Sequence, residues 1–240
     1  MLSARNLFLN KMLALLKKDV LAFFSSWMGW GIIASFFVLM GVYVWVVDGN
    51  VLDFGFAELS VFFNLSPWFF LFLVPSLTMN SFSEEVEKGT FQLLRSLPIS
   101  DTQILGAKCL ALFSILILVL LPSLLFVQSI AVLGLPVSNF DSSLIYGGYA
   151  ALLLLVLCFV GLGVLGSSFT KKQPVAFLLG LVLNFVFWQG LKELGWDIFD
   201  LSSPYNRLSM GVLQFTDLCF FCGFILVLWG AIRIRMSRII

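Results

Sequence analysis

The chain has 240 residues, of which 60% are hydrophobic and only 11% are charged. Soluble domains carry about 25% charged residues, and a soluble fold of this length has too little interior for so much apolar surface. The composition therefore excludes an ordinary soluble protein and indicates an integral membrane protein. The sequence contains no histidine, which excludes Ser-His-Asp and Cys-His catalysis and metal sites built on imidazole.

Six apolar runs are long enough to cross the hydrocarbon core, about 30 Å thick, as helices. They lie at about residues 27–47, 59–80, 109–133, 144–169, 174–191 and 218–232. The runs predict an all-α membrane fold with six transmembrane helices, forming a single domain over residues 1–240.

The basic residues divide unequally between the two sides of these runs. Twelve of the 14 fall on one side: Arg5, Lys11, Lys17, Lys18, Lys88, Arg95, Lys108, Lys171, Lys172, Arg233, Arg235 and Arg238. Only Lys192 and Arg207 fall on the other side. The excess of Lys and Arg in cytoplasmic segments predicts that both termini are cytoplasmic, which requires an even number of spans.

Residues 6–24 have the pattern of an amphipathic helix that precedes the first span. Apolar residues recur at helical spacing, and Lys11 and Lys18 lie on the opposite face. The apolar positions are Leu9, Met12, Leu13, Leu16 and Val20. We expect this helix to lie in the cytoplasmic membrane interface, with Lys11, Lys17 and Lys18 near anionic headgroups. The alternative is a plain cytoplasmic extension of the first span.

The segment between the second and third spans, residues 81–108, is polar enough to leave the bilayer. The Gly89-Thr90 pair interrupts the chain, and Thr90 can cap a short helix. That helix carries Phe91, Leu93 and Leu94 and ends before Pro98, because the residue before a proline is pushed out of α geometry. The pattern predicts a stiff cytoplasmic element whose apolar side chains need a partner surface.

Motifs for catalysis are largely absent. The chain has no GxxxxGK[ST] phosphate loop. Gly161, Gly163 and Gly166 match GxGxxG but lie inside the fourth span, where small residues favour close helix packing. Cys219 and Cys222 match CxxC at the start of an apolar span, where buried, inert thiols are favoured over a redox pair.

The spans carry almost no ionisable group, which argues against ion-coupled transport. Polar residues within them include Asn64 and Asn184, which either bond neighbouring helices or line a substrate path. Four hypotheses follow: the membrane half of a pump driven by a separate ATPase, a secondary transporter or channel, an intramembrane enzyme, and a structural anchor. The stiff cytoplasmic element and the uncharged spans favour the first.

The residues from Glu84 to Ser100, EEVEKGTFQLLRSLPIS, are followed by Ile104-Leu-Gly106-Ala-Lys108. This stretch resembles the hallmark of ABC-2 type transporter permeases. The resemblance implies a permease that is not itself catalytic, binds no cofactor and no nucleic acid, and works with two copies of an ABC ATPase that bind ATP and Mg. Residues 84–96 would form the coupling helix against that ATPase. The contact residues would be Glu84, Glu85, Glu87, Gly89, Thr90, Phe91, Leu93, Leu94 and Pro98.

Three further stretches resemble the gliding-motility-associated, GldF-type permease subunit of Bacteroidota. They are Asp53-Phe-Gly-Phe-Ala-Glu-Leu-Ser60, Ser66-Pro67-Trp68 and Ser81-Phe-Ser-Glu84. This resemblance implies the bacterial inner membrane and a second, different permease with a periplasmic domain. Asn64 and Asn184 become candidates for the translocation path, since the second and fifth spans face the partner permease in the family. The alternative is a self-sufficient channel or uniporter without an ATPase.

Overall fold

The computed structural model describes residues 16–47, 59–89, 101–133 and 142–236, and over these ranges the chain forms helices and turns without a strand. The α-helices are α1 (Leu16–Phe24), α2 (Trp27–Trp45), α3 (Ser60–Thr78), α4 (Ser83–Glu87), α5 (Asp101–Leu120), α6 (Leu124–Leu133), α7 (Ser142–Ser168), α8 (Gln173–Phe185), α9 (Leu191–Glu193), α10 (Ser202–Ser209) and α11 (Phe215–Met236). A π-helical turn, Val186–Gly190, joins α8 to α9. Short 3₁₀ turns lie at Leu121–Ser123 and Asp197–Phe199.

Five helical segments in these ranges are long and apolar enough to cross a membrane, or six if the bent pair α1–α2 counts as one span. They are Ser60–Glu87, Thr102–Leu133, Ser142–Ser168, Gln173–Glu193 and Phe215–Met236. The finding confirms the predicted class, an all-helical multi-pass membrane protein. The segment Thr102–Leu133 begins well before the apolar run at residue 109, so its first turns carry polar residues, among them Lys108.

Helix α7 is the centre of the bundle and contacts α3, α5, α8, α10 and α11. Gly148 of α7 lies against the ring of Phe63, and Gly163, further along α7, lies against Thr78. Both residue numbers increase together, so α3 and α7 run parallel. Gly166 contacts the backbone of Gly180 in α8, whereas Phe159 packs on Trp188 with ring centroids 6.2 Å apart. Helix α8 therefore runs antiparallel to α7.

The glycines of the GxGxxG match are sites of close helix packing, as predicted. A Cβ on Gly166 would stand 2.9 Å from the backbone nitrogen of Gly180. Gly163 faces Thr78, and Gly161 faces Leu228 of α11. Small residues at these positions let three helices approach α7 closely.

The prediction that Cys219 and Cys222 are buried is wrong, because both lie on the exposed side of α11. The buried side of α11 carries Asp217, Phe221, Leu228, Ile232 and Met236. At helical spacing, Cys219 and Cys222 do not lie on this buried side.

The first span begins with a sharp bend. Helix α1 is bent by 67° from the helix that continues to Trp45, and the Ser26 hydroxyl accepts a 3.1 Å hydrogen bond from Gly29 N to cap α2. Lys17 and Lys18 are exposed on α1. Lys11 and the rest of residues 6–15 lie outside the described residues, so the interfacial helix over 6–24 stays a prediction.

The two ends of the bundle differ in charge. We call one the basic end: it carries Lys88, Lys108, Lys171, Lys172, Arg233 and Arg235. The opposite end carries Lys192 and Arg207, together with α9 and α10.

Candidate functional site

The junction between α3 and α4, at the basic end, is the place where polar contacts from different helices converge. Helix α3 ends at Thr78, and four residues separate it from Ser83, where α4 begins. Such a break leaves backbone groups without helical partners, and these must be satisfied from elsewhere.

Ser167, near the end of α7, satisfies three of these backbone groups. Its hydroxyl accepts hydrogen bonds from the backbone N–H of Phe82, at 3.1 Å, and of Ser83, at 3.2 Å. The same hydroxyl donates to the Met79 carbonyl at 3.2 Å. One side chain of the central helix thus fixes the turn that connects α3 to α4.

Lys108, in the second turn of α5, reaches the same turn from another side. Its Nζ donates to the Ser81 carbonyl at 2.5 Å and to Glu85 Oε1 at 2.7 Å, and lies 5.3 Å from the centroid of the Phe82 ring. The Lys108 side chain is 5% exposed and that of Glu85 14%. Removing one partner of a buried pair leaves the other charge uncompensated and is strongly destabilising.

The outer side of α4 has a different character. Glu84 pairs with Lys88 one turn later, at 2.5 Å, and both side chains are accessible to solvent. The hydrogen bond to Glu84 raises the pKa of Lys88 above its ordinary value. Gly89 then ends the helix with φ +69°, a conformation that favours glycine. Exposed pairs of this kind contribute little to stability, which leaves Glu84 and Glu87 available to a partner.

The predicted coupling residues therefore separate into two groups. Glu85 is directed inward onto Lys108, whereas Glu84 and Glu87 lie toward the surface. The remaining members of the predicted contact lie outside the described residues: Thr90, Phe91, Leu93, Leu94 and Pro98.

The two predicted path residues differ in burial. Asn64 is exposed on α3, whereas Asn184 of α8 is completely buried inside its own chain. Neither amide atom of Asn184 has a hydrogen-bond partner among the described residues. Asn184 faces the interior together with Ala176, Gly180 and Trp188, which share one side of α8 and its π-helical extension.

Nothing in the sequence pointed to Ser167, and Lys108 was predicted only as a cytoplasmic basic residue within the family motif. A lone serine at the end of an apolar run carries no signal, since serine is common in membrane helices. Lys108 gave a usable signal, because a lysine at the start of a span needs a partner when it is buried.

The described part of the chain offers no metal site, because no three Cys, Asp or Glu side chains within it are grouped closely enough to hold an ion.

Comparison with known proteins places the chain in a family. A family model described as ABC-2 family transporter protein matches residues 13–199, well over half of the sequence. No curated protein matches the chain.

Proposed function

Because this chain belongs to the ABC-2 family of transporter proteins and is thus the membrane permease of an ABC transporter, we propose that the α3–α4 junction receives the movement of a separate ATPase and passes it to the bundle. The proposal rests on the contacts that Lys108 and Ser167 make at the turn before α4. Ser167 forms hydrogen bonds with the turn, and Lys108 forms a hydrogen bond with it and an ion pair with Glu85.

These contacts matter because α4 is short and would otherwise move independently of the membrane helices. Ser167 joins the turn to α7 and Lys108 joins it to α5, while α3 continues directly into it. A displacement of α4 is then shared by three spans. Buried hydrogen bonds and a buried ion pair are stiff couplings, since breaking them leaves unpaired polar groups.

The surface offered to the ATPase combines charge and apolar side chains. Glu84 and Glu87 lie on the accessible side of α4. The helix itself ends at Glu87, before Gly89, so residues 84–96 are not one continuous helix, and Leu93 and Leu94 belong to the part of the proposed coupling segment that follows Gly89. In this proposal the acidic residues meet basic groups of the ATPase, and the two leucines fill an apolar cleft. ATP and Mg bind to the two ATPase copies, and this chain holds no cofactor.

The permease is proposed to work with a second permease in the bacterial inner membrane, with both termini in the cytoplasm. The family resemblance, which places the second and fifth spans against the partner permease, is what supports such pairing. The fifth span, α8, presents an exposed apolar side with Val175, Leu178, Val182 and Phe185, and a side of this kind suits contact with lipid as well as with a partner helix.

The GldF-type resemblance is the basis for two finer proposals. The second permease is a different chain with a periplasmic domain, and the complex moves a substrate or a periplasmic partner in connection with gliding motility. The sequence stretches given above support this, and the identity of the co-purifying chains tests it.

The experiment is a purification of the chain from its native membrane in mild detergent, followed by mass spectrometry of the chains that accompany it. We expect an ATPase with a GxxxxGK[ST] loop to accompany the wild type and to be lost in Leu94→Asp. Leu194→Asp is the matched control, since Leu194 is exposed at the opposite end. An ATPase that stays bound to Leu94→Asp contradicts the proposed contact. A folded chain that is repeatedly recovered alone favours a channel or uniporter.

A further inference from the structure

Helix α10 lies at the opposite end of the bundle and is held there by several elements. Asp200 accepts hydrogen bonds from the backbone N–H of Ser202, at 3.0 Å, and of Ser203, at 2.9 Å, so the start of α10 is capped. Gly147 of α7 lies beneath its last turn, where a Cβ would stand 2.6 Å from the Leu208 carbonyl oxygen. Helix α10 is therefore seated directly on the central helix.

A bidentate ion pair connects α10 to the start of α11. Arg207 donates from Nε to Asp217 Oδ2 at 3.1 Å and from its terminal nitrogen to Oδ1 at 2.6 Å. Asp217 is 2% exposed, and its hydrogen bonds raise the pKa of Arg207 above the ordinary value. Two-point pairing of this kind fixes orientation as well as distance.

Tyr205 is the residue of α10 that reaches α3. Its side chain is completely buried, its ring packs on Trp188 with centroids 5.4 Å apart, and its hydroxyl donates to the Phe63 carbonyl at 2.6 Å. The acceptor has a particular origin. Pro67 stands four residues after Phe63 and has no N–H, so the Phe63 carbonyl lacks its ordinary helical donor.

The Tyr205 hydroxyl thus replaces the donor that Pro67 removes from α3. A buried carbonyl left without a donor is costly, so this hydroxyl and this carbonyl need each other. The sequence alone could not reveal the pairing, because 142 residues separate the two partners.

Helix α3 connects both ends of the molecule. At one end it carries the Phe63–Tyr205 bond, and at the other it continues into the turn held by Lys108 and Ser167. We propose that Tyr205 is a positioning residue that makes α10 move together with α3, so that movement received at α4 reaches the opposite surface of the membrane. This inference rests on the proposed function, which supplies the movement.

The first test asks whether the hydrogen bond from Tyr205 to the Phe63 carbonyl holds α10 in place. It measures amide hydrogen exchange of the purified chain in lipid nanodiscs. In Tyr205→Phe we expect faster exchange, on the order of tenfold, in Ser202–Ser209. Tyr149→Phe is the matched control: its ring also packs on Phe63, but its hydroxyl pairs with Ser123 at 2.8 Å. Unchanged exchange in Tyr205→Phe, or an equal change in both variants, overturns the inference.

A double-mutant cycle separates the hydrogen bond from ring packing. Pro67→Ala supplies the missing N–H within α3, so in that background the Phe63 carbonyl no longer depends on Tyr205. We expect Tyr205→Phe to change exchange much less when Pro67→Ala is present. Equal effects in both backgrounds would show that the ring alone holds α10, and the inference would fail. The cycle also covers the case in which the single variant folds poorly.

The second test follows movement in the complex purified with its ATPase. Fluorescent labels are placed at Lys88→Cys, beside α4, and at Met210→Cys, after α10, with Cys219 and Cys222 replaced by alanine. We expect ATP to change both signals in the parent protein, and Tyr205→Phe to abolish only the change at residue 210. A silent label at residue 88 contradicts the proposed function. A responding label at residue 88 with residue 210 silent in the parent, or still responding in Tyr205→Phe, overturns this inference alone.

Discussion

Asn184 is a buried side chain that the packing of this chain does not explain. Its amide is fully buried in α8, and neither polar atom has a hydrogen-bond partner in the described ranges. The indole nitrogen of Trp188, four residues further along, is likewise unpaired there. A π-helical turn begins two residues after Asn184, and such turns are frequent at functional sites. If Asn184 acts in transport, as proposed, it acts from inside the helix bundle of this chain, because its side chain does not reach the surface that would face a partner permease.

Replacing Asn184 by leucine should stabilise the folded chain. A buried amide without partners costs about 1–3 kcal/mol, and leucine has the same number and branching of side-chain heavy atoms without that cost. We expect Asn184→Leu to raise the thermal unfolding midpoint in detergent. Asn64→Leu should leave the midpoint unchanged, since Asn64 is exposed. A lower midpoint for Asn184→Leu would mean that the amide is bonded within the fold.

Single residues show most clearly where prediction from the sequence ends. The motif from Glu84 to Lys108 could be recognised in the sequence. The inward direction of Glu85 could not be predicted, because it depends on where α5 places Lys108. Likewise, tyrosine is a residue type typical of membrane interfaces. Tyr205 is instead buried, and its hydroxyl donates a hydrogen bond to a carbonyl that is distant in the sequence. Partners that far apart are set by tertiary packing, which no local pattern records.

At the scale of elements, hydrophobic runs predicted the membrane helices because lipid requires each span to satisfy its own backbone. Local rules did less well at helix ends and breaks. Helix α3 continues through Pro67 and Pro75 without ending, whereas at Pro122 a 3₁₀ turn separates α5 from α6. The difference at Pro67 has a physical reason, since the Tyr205 hydroxyl satisfies the carbonyl that the proline leaves open.

The contact between α7 and α8 gives a prediction at this scale. A Cβ on Gly166 would meet the Gly180 backbone, at 2.9 Å from its nitrogen and 3.2 Å from its Cα. Gly166→Ala should therefore destabilise the bundle by about 1–3 kcal/mol, the usual cost of overpacking. Gly223→Ala is the control, because nothing lies within 4 Å of its added Cβ. Equal unfolding midpoints for the two variants would contradict the close approach of α7 and α8.

For the whole molecule, polar contacts at both ends join short surface elements to the membrane helices. Lys108 and Ser167 hold the basic end, and Tyr205 and Arg207 hold the opposite end. The sequence predicted the membrane class and the family correctly, because both depend on composition and a contiguous motif. The contacts at the two ends join helices that are far apart in the chain. They could therefore not be predicted from the sequence and depend on how the helices pack.

The transmission of movement from α4 to the bundle is tested most directly by removing the contacts of Lys108 with Glu85 and Ser81, and then measuring ATP-driven movement. A label at Lys172→Cys, exposed before α8, reports on the bundle in the complex purified with its ATPase. We expect Lys108→Met to keep the ATPase bound but to lose the ATP-dependent change at residue 172. Lys88→Met, which breaks only the exposed pair with Glu84, should retain that change. An undiminished response in Lys108→Met would contradict the claim that the α3–α4 junction transmits movement to the membrane helices.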